Sequence, residues 1–238
     1  MNSYPGILGR KVGMTQLVAE DGTITPATVI LAKCVVVGKR SIERDGYTAL
    51  ILGIDDRKSN RTNKALAGQY RTAMGALKNA DGTPPAEQGK VTPRQVLREF
   101  RCAAEYADTL QIGDSPNLEE IFKLGMFVDV RSSSRGRGFT GVMRRHNFAG
   151  AKRSHGAHEV MRHGGSIGTN MTPGRVLPGK KMAGQHGNKP TTVMNQKIVQ
   201  ILAEEGLVLV RGGVPGTVDS IVEVRGANKK NGGMKGVA

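Results

Sequence analysis

The chain has 238 residues, a formal charge of +15, two Cys, no Trp, five Phe and four Tyr. That length admits one large domain or two small ones, and the shortage of aromatics disfavours an RNA module built on stacking platforms, leaving phosphate and shape recognition. Cys34 and Cys102 fit no metal spacing, MNSYPGILGRKVG lacks a secretory apolar core, and no apolar run nears the roughly 20 residues that span a bilayer; a soluble intracellular protein with two buried thiols is expected.

The first 55 residues read as β structure. A short strand over 12–19 ends in the turn Glu20-Asp21-Gly22, and 25–32 and 34–40 are rich in β-branched residues. Arg44-Asp45-Gly46 is a second hairpin-like turn, leading into a strand over 47–54. Several short strands at close spacing suggest a small barrel or a sandwich. From 57 to 93 the composition shifts to Lys, Arg, Asn, Gly, Ala and Pro, and Asn79-Ala-Asp-Gly-Thr-Pro-Pro is a solvent loop. Residues 117–122 read as a short capped helix with Glu119 and Glu120 in its first turn. A strand follows over 126–131. Near the end, 193–203, the turn Glu204-Glu205-Gly206 and 207–211 form a hairpin, and 220–224 is a last strand. A tail from 228 to 238 is expected to be mobile.

Between residues 131 and 189 the chain holds 12 Lys/Arg against one acid, Glu159, together with 12 Gly and all five His. The tail from 225 on adds four cations and no acid, and the remainder is neutral. Charge is therefore concentrated in one Gly-rich, core-poor stretch. Such a stretch folds poorly alone, because like charges repel and Gly loses the most entropy on ordering. A polyanion would organise it, and RNA is the one with an irregular, deep surface. Phe139, Val142, Met143, Phe148, Val160, Met161, Ile167, Val176, Leu177 and Met182 recur along it, unlike a simple disordered arm. The β pattern resumes afterwards, so the stretch is an insertion into one β domain.

Three motifs invite other readings. Gly136-Arg-Gly138-Phe-Thr-Gly141 matches a dinucleotide fingerprint, with Glu159 as a ribose-binding acid, but no second strand of a βαβ unit follows. Gly174-Arg-Val-Leu-Pro-Gly179-Lys180 resembles a phosphate-binding loop, yet Lys181 stands where the Mg²⁺-holding Ser or Thr belongs. His155, His158 and His163 could hold a metal, but Lys152, Arg153 and Arg162 would repel a cation. Those three histidines, with His146 and His186, read better as groups that stack on bases or donate to phosphates. Acids are nearly absent around them, so no catalytic triad can be assembled. No catalytic residue, metal or cofactor is expected.

Two stretches resemble one family. Gly6-Ile-Leu-Gly-Arg-Lys-Val-Gly-Met14-Thr15 is similar to the start of the universal L-three family of large-subunit ribosomal proteins. The stronger match is Gly165-Ser-Ile-Gly168, Thr172-Pro-Gly-Arg175, Gly179-Lys-Lys-Met-Ala-Gly184 and Gly187-Asn188. Asp45-Gly46-Tyr47, Arg98-Glu-Phe-Arg101, Arg135-Gly-Arg-Gly-Phe139 and Arg144-Arg-His-Asn-Phe148 fall in the family's order, so the resemblance covers nearly the full chain.

The resemblance implies a mainly β fold: a small closed barrel of the translation-factor type, carrying a long irregular Gly/Lys/Arg-rich internal extension. The implied division is a body of 1–132 and 190–224 with a surface insertion about 57–93, an RNA-penetrating extension over 133–189, and a basic flexible tail over 225–238. It implies a non-enzymatic constituent of the large subunit that binds large-subunit (23S-type) rRNA, supports assembly and shapes the surroundings of the peptidyl transferase centre, in the cytoplasmic ribosome. The implied rRNA contacts are Arg135, Arg137, Arg144, Arg145, Lys152, Arg153, Arg162, Arg175, Lys180 and Lys181. Gly168, Thr169, Asn170 and Met171 fall at the extension's deep end. Neighbours from the L-fourteen and L-nineteen families are implied, with no membrane and no small-molecule substrate. Many bacterial members have a glutamine, often methylated, where this chain has Met171, so that modification is not expected. The stretch 74–92 is longer than the bacterial pattern. An RNA-directed enzyme would need a cofactor pocket and a titratable pair, which the sequence lacks; a DNA-compacting protein would suit a uniform groove better than this irregular loop.

Overall fold

In the computed structural model, residues 4–75 and 92–230 are described. The strands in chain order are β1 (Gly6–Val18), β2 (Ile24–Leu31), β3 (Cys34–Arg40), β4 (Ala49–Asp56), β5 (Arg94–Arg101), β6 (Phe127–Ser133), β7 (Phe139–Thr140), β8 (Gly184–Gln185), β9 (Pro190–Leu202), β10 (Leu207–Arg211) and β11 (Ile221–Gly226). Six of them close into an antiparallel barrel in the order β1-β11-β6-β9-β10-β2, with β2 returning to β1. The barrel expected from the resemblance is present, and the choice left open between barrel and sandwich is settled. β1 begins at Gly6, well before the expected 12, and β11 runs through Gly226, two residues into the stretch assigned to the tail.

Alternation explains closure. Ile7, Ile30, Val128, Val130, Val208, Val210, Val222 and Val224 are fully buried, and the register sets Ile7 opposite Val224, Val224 opposite Val130 and Val208 opposite Ile30. Each such side chain removed from water contributes about 1.5–3 kcal/mol before entropy is counted. Close packing reaches the backbone at Gly9, where an added Cβ would lie 2.5 Å from the Ile30 methyl and 2.9 Å from the Leu31 carbonyl oxygen. Two buried polar side chains find partners: the Thr28 hydroxyl donates to the Gly212 carbonyl (2.6 Å), and the Asp129 carboxylate accepts from the backbone N–H of Asn195 (2.9 Å) and Asn228 (3.3 Å). Asp129 thereby holds the irregular point of β9, where Asn195 has φ 58°, and the chain leaving β11.

Not every early strand enters the barrel. β3, β4 and β5 form a separate three-stranded sheet. β5 is absent from the sequence reading because Arg-Gln-Val-Leu-Arg-Glu-Phe-Arg hides its pattern under charge, with only Phe100 fully committed to the core. The turn at Arg44-Asp45-Gly46 is a single-turn helix, α1 (Ile42–Asp45), which Gly46 closes in the left-handed region. A second helix, α2 (Lys64–Gly75), occupies the Ala-rich start of the basic stretch, where Asn63 accepts the Leu66 N–H at 2.8 Å as an N-cap. α3 (Ala104–Thr109) is also absent from the sequence reading, whereas α4 (Leu118–Ile121) has the anticipated cap, Asn117 accepting from Glu119 N–H. Phe122, Leu52, Val36 and Cys34 join the barrel residues in one hydrophobic cluster. The loop expected at 79–85, and the end of the tail from 231 on, lie outside the described residues.

The described residues separate into two compact units, one running up to Ser133 and resuming at Pro190, the other Ser134–Lys189.

Candidate nucleic-acid interface

The unit Ser134–Lys189 begins and ends in one hydrogen-bonded collar. Ser134 N–H donates to the Lys189 carbonyl (2.8 Å), Asn188 N–H to the Ser134 carbonyl (3.1 Å), Arg137 N–H to His186 (2.9 Å) and His186 N–H to Gly138 (2.9 Å). β7 and β8 continue the ladder, pairing Phe139 with Gln185 and Thr140 with Gly184. Glycine is required at 187: φ is +73°, and a Cβ there would strike the Arg135 carbonyl. Thr140 is the unit's single buried residue.

Beyond the collar comes α5 (Val142–His146), whose last turn carries Arg144, Arg145 and His146, where cations complement the helix's negative end. Arg145 turns back. Its Nη1 donates to the Met182 carbonyl at 2.6 Å, and His146 Nε2 lies 3.1 Å from the same oxygen, tying the outgoing chain to the returning one. Val142, Met143, Phe148 and Met161 are half-buried, and the Phe148 ring lies 6.2 Å from that of His146. Farther along, the chain turns through Gly168, Thr169, Asn170 and Met171, held by Ser166 Oγ donating to the Gly168 carbonyl (2.9 Å) and Thr169 Oγ1 to that of Thr172 (2.8 Å). Apolar side chains of the unit are left in water: Met171 is 87% exposed and Phe139 79%, and Ile167 and Leu177 are also exposed.

The ten cations named from sequence divide nine to one. Arg135, Arg137, Arg144, Lys152, Arg153, Arg162, Arg175, Lys180 and Lys181 are exposed, and none enters an ion pair or side-chain hydrogen bond among the described residues. Arg145 is half-buried and shares its guanidinium with Met182. Sequence reasoning missed that tie, because its acceptor is a backbone carbonyl 37 residues away. The tempting motifs acquire no supporting architecture: Gly141 leads into a five-residue helix, and 174–181 is a run of turns with neither strand nor helix. No group of three or more His, Cys, Asp or Glu among the described residues could hold a metal ion. Cys34 and Cys102 are buried free thiols in the other unit, each pushed up to about 11 by desolvation.

Known proteins carry the same pattern. The ribosomal protein L3 family profile matches residues 95–206, which span β5 to the β9–β10 turn and include all of Ser134–Lys189. A protein named large ribosomal subunit protein uL3 from Sorangium cellulosum is 48% identical over 237 residues, covering 100% of this chain and 95% of its own. The chain belongs to the ribosomal protein L3 family. Proteins of the same name from Magnetococcus marinus and Myxococcus xanthus are 43% and 39% identical, over 94% and 92% of this chain and 97% and 92% of theirs. The L3 family consists of structural proteins, not enzymes.

Proposed function

We propose that this L3-family protein is a structural constituent of the large subunit of the cytoplasmic ribosome, and that Ser134–Lys189 binds large-subunit rRNA. The observation that carries the reading is the set of nine exposed cations without an intramolecular partner among the described residues, on a unit that buries almost nothing of its own. Arg135, Arg137, Arg144, Lys152, Arg153, Arg162, Arg175, Lys180 and Lys181 neutralise phosphates and release counterions, and RNA helices that repel one another are thereby held together during assembly. Arg145 positions the two arms of the extension rather than serving solely as a phosphate ligand.

The body of 1–132 and 190–224 anchors the extension at the subunit surface. Gly168, Thr169, Asn170 and Met171 reach toward the peptidyl transferase centre, and Met171 supplies an exposed apolar contact to RNA. Neighbouring proteins of the L-fourteen and L-nineteen families meet the body. Filter binding to purified large-subunit rRNA over a salt series tests the electrostatic core of this reading. With roughly 6–8 phosphate contacts, log K falls against log salt with a slope of about −4 to −7. A slope shallower than about −2 removes the account.

A further inference from the structure

The hairpin of β1 and β2 carries a strand edge that the barrel does not use. β11 pairs with β1 only over 6–10, and β10 pairs with β2 only over 27–31. Among the described residues, 14–18 therefore pair with β2 alone. Two bonds fix which way the backbone groups point. The Pro26 carbonyl accepts from Gly212 N–H (2.8 Å), so Pro26 faces away from β1, and its register partner Gln16 faces away from β2. At the end of the hairpin Ala19 N–H donates to the Thr23 carbonyl (3.0 Å), so Ala19 faces inward and Val18 outward. By the same alternation Met14, Gln16 and Val18, all exposed, each present an N–H and a carbonyl along the outer edge.

Such edges are blunted in most proteins by Lys, Pro or a bulge. Here the bulge, between Lys11 and Gly13, lies before the open edge, and Met14-Thr-Gln-Leu-Val18 contains neither Lys nor Pro. Apolar side chains stand beside it: Val18 is 70% exposed, and Ile24, its partner across the hairpin, 58%.

Charge selects the occupant. Residues 12–32 contain no Lys or Arg in a chain of formal charge +15, and the turn carries Glu20 and Asp21. Thr23 donates to Asp21 from its N–H (3.0 Å) and its hydroxyl (2.9 Å), and these bonds hold the Asp21 carboxyl below its usual range, so the tip is fixed and negative. Two acids without a cation beside them repel phosphate, which turns RNA away from this edge. A second copy of the chain would bring another +15 against the first. A strand from a different, basic protein satisfies the backbone groups, covers the apolar side chains and meets the acids with Lys or Arg.

We propose that the outer edge of β1 at residues 14–18 is a β-augmentation site for an extended segment of another protein, one with alternating apolar residues and with Lys or Arg where it passes the β1–β2 turn. The site is independent of rRNA binding by the extension, so either can fail alone.

The full-length chain with a photo-reactive p-benzoylphenylalanine in place of Gln16, produced in cells and irradiated, tests the occupant. The expected adduct is a protein segment of that pattern. In the native complex of the unsubstituted chain, amides of Met14, Gln16 and Val18 should exchange at least about tenfold more slowly than in the free chain, while those of Thr15 and Leu17, which face β2, change less than about twofold. Val18→Lys and, separately, Glu20→Lys should each cut the adduct about tenfold, the first by charging the apolar edge and the second by reversing the attraction. Leu124→Lys, at another exposed apolar residue of the body, should change it less than about twofold. A thermal melt checks each fold, and Met14→Lys replaces Val18→Lys if that variant does not fold. An adduct to RNA, to a second copy of the chain or to a protein segment without that pattern overturns the proposal. So does the absence of any adduct, or an adduct that survives either charge variant.

Discussion

The body and the extension use the same cations in opposite ways. In the body, Arg10 pairs with Asp55 (2.7 Å), Arg40 with Asp45 and Glu99 (both 2.9 Å), Arg94 with Asp56 (2.7 Å) and Arg98 with Glu223 (2.8 Å). In Ser134–Lys189, none of the ten named cations has such a partner among the described residues, and Arg145 alone donates to a backbone carbonyl. The body buries Ile7, Val130, Ile198 and Phe122 while leaving Val18, Ile24 and Leu124 exposed, whereas Ser134–Lys189 buries no large apolar side chain and leaves Phe139, Ile167 and Met171 in water. One unit, the body, completes its core and these ion pairs within the chain. The other completes its collar and the Arg145–Met182 tie, and on the proposed function RNA supplies the rest.

The most severe way to break that contrast is to replace 134–189 with a short Gly/Ser linker. A body that holds its own core then still melts cooperatively, while affinity for large-subunit rRNA falls by roughly three orders of magnitude or more at moderate salt. A linker variant that fails to fold makes the extension part of the body's core.

Single-residue truncations sharpen the comparison. Phe122→Ala, at a site 1% exposed, is expected to cost about 3–5 kcal/mol by chemical denaturation. Met171→Ala should stay within about 0.5 kcal/mol in the free protein and show its effect only in RNA binding. Equal destabilisation by the two would show that the extension has a core of its own.

The last expected effect is on pH and concerns the body alone. A thiol is neutral when protonated, and burial raises Cys34 and Cys102 from 9.0 to about 11. Below pH 9 both folded and unfolded thiols are neutral, and the pH has no leverage. Between about pH 9 and 11 only the unfolded thiols ionise, so body stability falls across that window. Cys34→Ala with Cys102→Ala should flatten this decline, and urea midpoints on either side of the onset of that window measure it. An unchanged slope in the double variant would place the decline elsewhere.

Much of this organisation is readable from residues. Runs such as Leu207-Val-Leu-Val210 in the barrel and Leu50-Ile-Leu52 in the flanking sheet announce strands, and the charge map isolates the extension without any structure. Strand partnership was not readable, because β3 and β4 look like barrel strands until pairing with β5 draws them into a separate sheet. β5 itself is charged at Arg94, Arg98, Glu99 and Arg101, so its apolar face is carried by few residues. α2 was obscured by Asn, Gly and Arg, although Asn63 before Ala65-Leu66-Ala67 was a usable cap signal. The site followed the same division. Exposed cations were legible one by one, whereas Arg145's use of a carbonyl on the returning arm depends on a fold that sequence spacing does not encode.

Hydrogen exchange of the full-length protein, with and without an rRNA fragment, tests the contrast most directly. Ordering costs about 1–2 kcal/mol per residue, and the extension lacks the buried surface to offset it alone. In the free protein, amides of β2, β3, β4, β9 and β10 should be protected, while those over 148–181 exchange fast. Added RNA should slow exchange over 148–181 and leave the barrel strands unchanged. Protection of 148–181 without RNA, as strong as that of the barrel, would contradict the claim that the body folds by itself and the extension is organised by its partner.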